Sequence, residues 1–229
     1  MHTTAASPFC WLDVKTHAVA DLSAVVAHTL GWHVAMVEES PRPVMSVDGY
    51  AVGGLSDLAN PVYPSETPDH VAYYLAVDEL DRRVDVALEH GARLVVPPFD
   101  VPGQGRMATL TDPLGAGFSL WQAEGFAGWT FPAGRNGAPC GMVLAHPDAA
   151  RLRGFYDTVC DGGLTTTSFV EQWVDDVPAW EVVLGVDEPE DVVERARTHG
   201  SVRVGPGVPG VSALRLQLGE GFALHLTRS

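Results

Sequence analysis

The chain opens on FCWLDVKT, and an apolar stripe at Leu22, Val25, Val26 and Leu30 follows before Gly31. That order, a strand-type run and then residues three and four apart, predicts a strand leading into a helix that the glycine stops. A second such pair begins at Val77, where VDELDRRVDVALEHGARLVVPPF places Leu80, Val84, Ala87 and Leu88 on one helical face behind a capping Asp78. A third starts with PCGMVLAH, runs through Ala149, Leu152, Phe155, Tyr156 and Val159, and closes at Gly162-Gly163. The fourth, VDEPEDVVERARTHGSVRVGPGV from Val186, has Asp187 as its cap and Val192, Val193 and Ala196 on the buried face.

The second and fourth segments align at a constant offset of 109 residues (77 to 186), which also superposes His90-Gly91 on His199-Gly200. Self-similarity at a fixed spacing marks a tandem duplication. After each helix come short β-type runs with turn signals such as Val47-Asp48-Gly49-Tyr50 and Asp112-Pro113-Leu114-Gly115. The rhythm is βαβββ, four times over. Gly125 to Pro139, rich in Gly and Pro, reads as the linker between the halves. The expected organisation is therefore an α+β protein with one domain over 8–125, a linker over 126–137 and a shorter second domain over 138–229.

Composition narrows the function. Of 229 residues, 46% are hydrophobic and 19% charged, enough for a substantial core. The formal net charge of −15 disfavours nucleic acid and anionic membranes as partners. It also raises the local concentration of small cations. The segment Met1 to Trp11 lacks the basic and apolar regions of a signal peptide, and no apolar run is long enough for a span, so a cytoplasmic location is expected. Cys10, Cys140 and Cys160 form neither a disulfide framework nor a thiolate zinc pattern. Dinucleotide, Walker, nucleophile-elbow and HExxH motifs are missing.

The stretches LGWHV at Leu30, YAVGGL at Tyr50, Ala76 to Gln122 with its PPFDVPGQGR and DPLGAGFSLWQ portions, and GFYDTV at Gly154 resemble the vicinal oxygen chelate superfamily. That group contains glyoxalase I, bleomycin- and fosfomycin-resistance proteins and extradiol dioxygenases, and the likeness is to its actinobacterial two-domain members. The resemblance implies four βαβββ modules paired into two glyoxalase-like domains, each with a curved mixed sheet around a cavity. It also implies a divalent metal held by His or Glu on the first strand of each module and on late strands.

Those positions fall here on Trp11, Ala72, Ser119 and either Val52 or Gly53 in the first half, none of which is a normal ligand. In the second half they fall on Gly141, Glu181 and His225, with Glu171 a loose candidate and Ala223 replacing His225 if the turn shifts. The expected metal set is none, and no cofactor is expected.

Strand alternation puts Asp13 and Lys15 beside Trp11, His70 and Tyr74 beside Ala72, and Trp121 beside Ser119. Trp11, Asp13, His70, Tyr74, Ser119 and Trp121 are thus the candidate ligand-binding residues, suited to a planar or cationic organic molecule of secondary metabolism. The competing reading makes the two tryptophans a plug in a vestigial cavity. An enzyme is the rival class, either a lyase, isomerase or cyclase using Asp13 and His70 as an acid/base pair, or metal chemistry at Glu181 and His225. Arg106, in the Gly103-Gln104-Gly105 loop, is either an anion contact or part of a plain hairpin. A homodimer is compatible with all of this.

Overall fold

The computed structural model describes residues 8–38, 40, 42–162, 164–172 and 178–229. The first repeat unfolds as the hydrophobic pattern requires. β1 (Phe9–Thr16) leads to α1 (Val19–Leu30), β2 (His33–Ala35), β3 (Val44–Val47) and β4 (Tyr50–Asp57). The second follows the same order with β5 (His70–Ala76), α2 (Leu80–Glu89), β6 (Arg93–Val101), β7 (Gly105–Thr111) and β8 (Gly117–Ala123). The third is β9 (Ala138–Ala145), α3 (Ala149–Val159) and β10 (Thr167–Val170). The fourth is β11 (Trp180–Val186), α4 (Pro189–Thr198), β12 (Arg203–Pro206), β13 (Leu214–Gly219) and β14 (Phe222–Arg228). The third module shows one strand after its helix among the described residues.

The strands form an eight-stranded mixed sheet in the order β2-β3-β4-β1-β5-β8-β7-β6 and a six-stranded one in the order β10-β9-β11-β14-β13-β12. With four helices alongside, this is the expected α+β class of two curved mixed sheets. The sheets fall within 9–123 and 138–228, but the two most compact units each take elements from both halves. One unit holds residues up to Trp11, Tyr73–Gly128 and Gly141–Trp180, and so contains α2 and α3. The other holds Leu12–Ala72, Trp129–Cys140 and Glu181–Ser229, and so contains α1 and α4.

The helix that opens the first repeat ends as predicted, with Gly31 left-handed at φ 71. Asp78 and Asp187 do not cap. α2 starts from Glu79 and α4 from Glu188, one residue beyond each aspartate, and neither start has a side-chain cap. Gln122 Oε1 instead accepts from the Leu80 N–H at 2.7 Å. The buried faces of α1, α3 and α4 match the predicted stripes, whereas Leu88 of α2 is exposed.

In the unit containing α2 and α3, the core is a cluster of Phe9, Tyr73, Phe118, Phe155, Tyr156, Phe169 and Trp180 rings packed mostly edge to face. Fully buried Tyr156 donates to Asp112 Oδ2 at 3.1 Å and accepts from Trp180 Nε1 at 2.9 Å. Asp112 Oδ1 accepts from the Leu114 and Ala116 N–H groups, so the DPLG turn is an Asp-anchored turn tied to the core. Burial raises the Asp112 carboxyl above its ordinary range, against the pull of those hydrogen bonds.

In the unit containing α1 and α4, Arg195 Nε donates to the Thr29 carbonyl across the helix pair. Segment 126–137 carries no strand, yet in this unit Trp129 Nε1 donates to the Val52 carbonyl and Trp32 Nε1 to that of Gly137. The linker sequence is thus held by two indole hydrogen bonds, one from buried Trp32 and one from half-buried Trp129. No described helix is long and apolar enough to cross a membrane.

Candidate functional site

β8 carries both Ser119 and Trp121 on the face opposite its core-packing residues, and β5 sets Tyr74 directly beside Ser119. Ser119 is buried and shares a hydrogen bond of 2.9 Å with Thr109 Oγ1 on β7. Trp121 stands 6.3 Å from Tyr74, nearly perpendicular to it, and its Nε1 donates to the Phe126 carbonyl at 2.8 Å. The Phe126 ring lies edge to face between Trp121, at 6.2 Å, and Trp11, at 5.0 Å. Trp11, Tyr74, Ser119 and Trp121 therefore do come together, in one unit. Trp121 and Tyr74 are almost covered, whereas Trp11 is half-buried. Gly105 makes this packing possible, since a Cβ there would collide with the Gln122 carbonyl and the Trp121 ring. Phe126 was not legible as a site residue, because it sits in a Gly/Pro segment with no periodicity.

Asp13 and His70 belong to the other unit and do not pair. Asp13, 1% exposed, accepts from Lys15 Nζ at 2.8 Å, Arg42 Nη1 at 2.9 Å and Ser56 Oγ at 3.0 Å. His70 is half-buried, with Nδ1 2.7 Å from the Pro68 carbonyl. The acid/base pair expected of them is not formed, because two cations and a hydroxyl already engage the carboxylate. Gly54, opposite Asp13 in the β1–β4 register, leaves the space through which Arg42 reaches it.

In the second half, β11, β14 and β13 lie side by side, with Val183 opposite His225 and His225 opposite Arg215. Both Glu181 oxygens accept from Arg215, Nε giving contacts of 3.0 and 2.8 Å and Nη2 one of 2.5 Å. His225 Nε2 is 2.8 Å from Glu181 Oε2, and its Nδ1 is 2.7 Å from Ser212 Oγ. Burial pushes the Glu181 carboxyl up, but hydrogen bonds from Arg215 and His225 outweigh it and hold the group below its usual value.

A divalent ion needs lone pairs aimed at one point, and this set does not supply them. The Glu181 oxygens are committed to the guanidinium, and both His225 nitrogens are taken. Glu171 is exposed, and the described residues contain no cluster of three or more His, Cys, Asp or Glu able to hold a metal. The residues present therefore do not fit the metal that the fold family implies. Arg106 is bound by Asp81 and Asp100, which makes the Gly103–Gly105 loop a braced hairpin.

No family model matches the chain. Among curated proteins, CFP32 of Mycobacterium tuberculosis, whose name assigns it provisionally to the glyoxylases, is 30% identical over 127 residues, covering 52% of this chain and 47% of its own. The chain thus spans about half the length of that relative. The anthracycline biosynthesis protein DnrV of Streptomyces peucetius is 27% identical over 238 residues, covering 86% of this chain and 83% of its own. Among solved structures, the Mn(II)-bound glyoxalase from Novosphingobium aromaticivorans has a TM-score of 0.61 at 16% identity, covering 98% of this chain and 82% of that one. A catechol 2,3-dioxygenase has a TM-score of 0.63 at 11% identity, covering 98% and 94%. The fold is that of a two-domain glyoxalase-like protein. These likenesses agree with the resemblance of the chain's motifs to the vicinal oxygen chelate superfamily.

Proposed function

We propose that the protein binds a planar aromatic small molecule of secondary metabolism, without a metal, at a site walled by Trp11. The observation that carries this reading is the replacement of ligand-bearing positions by rings and hydroxyls in the first half, with Trp11 half-buried and the more deeply set Trp121 and Tyr74 behind it. Half-exposed indole edges stack well on flat aromatic ligands and gain apolar burial in doing so. The similarity to an anthracycline biosynthesis protein across most of both chains supports a polycyclic aromatic ligand. The enzyme reading through Asp13 and His70 loses its pair, since Asp13 is held by Lys15, Arg42 and Ser56.

The test is titration of the purified protein with a neutral anthraquinone, read by tryptophan fluorescence and calorimetry, together with elemental analysis. Saturable quenching at one equivalent, weakened at least tenfold in Trp11→Ala, is the expected result. Unchanged affinity in that variant, or one equivalent of a transition metal whose removal abolishes binding, overturns the proposal.

A further inference from the structure

We propose that β6 is a self-association edge, on which two copies of the chain pack Leu94–Phe99 against Leu94–Phe99 with the strands antiparallel across a twofold axis. The strand lies within the unit that contains α2 and α3, at the end of the eight-stranded sheet, with β7 on one side and no strand on the other. From Leu94 to Phe99 it carries no charge, in a chain of net charge −15, and its apolar side chains are exposed, Val95 to 58% and Phe99 to 44%. Together with Leu88 of α2, which packs on β6, it holds five of the eight large hydrophobic side chains exposed among the described residues. Apolar surface concentrated in this way marks a contact with another body.

The register with β7 sets Leu94 beside buried Leu110 and Val96 beside Thr109, two neighbours that point to opposite faces, so exposed groups project from both sides of the sheet. A flat small molecule covers one face, whereas covering both takes a chain that wraps the edge. Pro97 and Pro98 have no N–H, and of two successive strand residues one turns its backbone to the open side. The ladder to β7 is also bulged on either side of Val96. An extended peptide therefore cannot add as a regular further strand, and the contact is made by side chains. The ends of the patch select the partner. Arg93 precedes it and Asp100 follows it, both exposed, Asp100 to 78% of its side chain despite its bond to Arg106. A twofold reversal sets Arg93 of each copy opposite Asp100 of the other, on either side of an uncharged centre, so the strand is complementary to itself. Exposed pairs of this kind set the register, and the apolar centre supplies the affinity.

Sedimentation velocity of the full chain, from about 1 to about 100 μM, should show a reversible equilibrium between monomer and dimer. Val95→Glu brings two carboxylates to the centre of the contact and should weaken the dimer about a hundredfold, leaving a monomer whose melting curve verifies that it is folded. Arg93→Glu and Asp100→Lys should each weaken the dimer about tenfold, and the double exchange should restore it. Asp81 keeps its hold on Arg106 in all of these variants. A wild type that is monomeric across that range, or a monomer that instead floats with phosphatidylcholine vesicles, overturns the inference. So does a dimer that survives Val95→Glu, or a pair of charge reversals that do not rescue each other.

Discussion

The two halves of the chain reach the same end by different physical routes. At the strand positions where the superfamily holds its metal, the first half has an indole and a hydroxyl packed against rings, and the second has a carboxylate and an imidazole closed by a guanidinium. Rings filling space contribute through apolar burial and need no counter-charge. An ion pair at 10% and 18% side-chain exposure must keep every member, because any one left behind is an unpaired charge in a poor solvent. The first solution leaves Trp11 half-buried among rings; the second leaves a closed ion pair.

The contrast can be broken most sharply at its most buried members. Trp121→Ala removes a nearly covered indole and the cap it provides to Phe126, and should cost about 3–5 kcal/mol in urea unfolding. Arg215→Met should cost about 3 kcal/mol, since Glu181 then stays buried without its bidentate partner. The double variant Glu181→Met with Arg215→Met should recover most of that loss, as replacing a whole buried pair by apolar groups often does. A double variant as unstable as the single one would show that the pair stabilises the fold in its own right. No such rescue is expected on the ring side, where nothing is left charged.

Acid sharpens the comparison, because two buried carboxylates titrate with opposite signs. Glu181 is held below its ordinary value of 4.5, so its stabilisation is present above that pH and is lost as pH falls through the folded value. Asp112 is raised above 3.8, so its contribution is present at low pH and is lost as pH rises through the folded value. Glu181→Gln should flatten the acid limb of the stability curve, and Asp112→Asn should steepen it. Identical limbs in both variants would refute the assignment. The smallest effect is expected from Ser119→Ala, about 1 kcal/mol for one hydrogen bond to Thr109, with the fold and aromatic cluster intact by near-ultraviolet circular dichroism.

Hydrophobic periodicity determined much of this protein. The strand-helix order, the buried faces of α1, α3 and α4 and the left-handed stop at Gly31 follow from local pattern and from glycine's freedom at positive φ. The grouping of Trp11, Tyr74, Ser119 and Trp121 came from positions that the family resemblance supplied, extended along each strand by alternation, and the same step wrongly added Asp13 and His70. Tertiary structure decided what each polar side chain meets. Nothing near Asp13 in sequence announces Arg42 or Ser56, and nothing near Glu181 announces Arg215, because those partners arrive from neighbouring strands and loops. The failed caps at Asp78 and Asp187 are local misses of one residue, where Gln122 from β8 takes over the α2 donor. Apolar patterning needs only burial, which is non-directional and can be read along the chain. A charge or hydrogen-bond donor needs one partner at one distance, and only the folded chain supplies it.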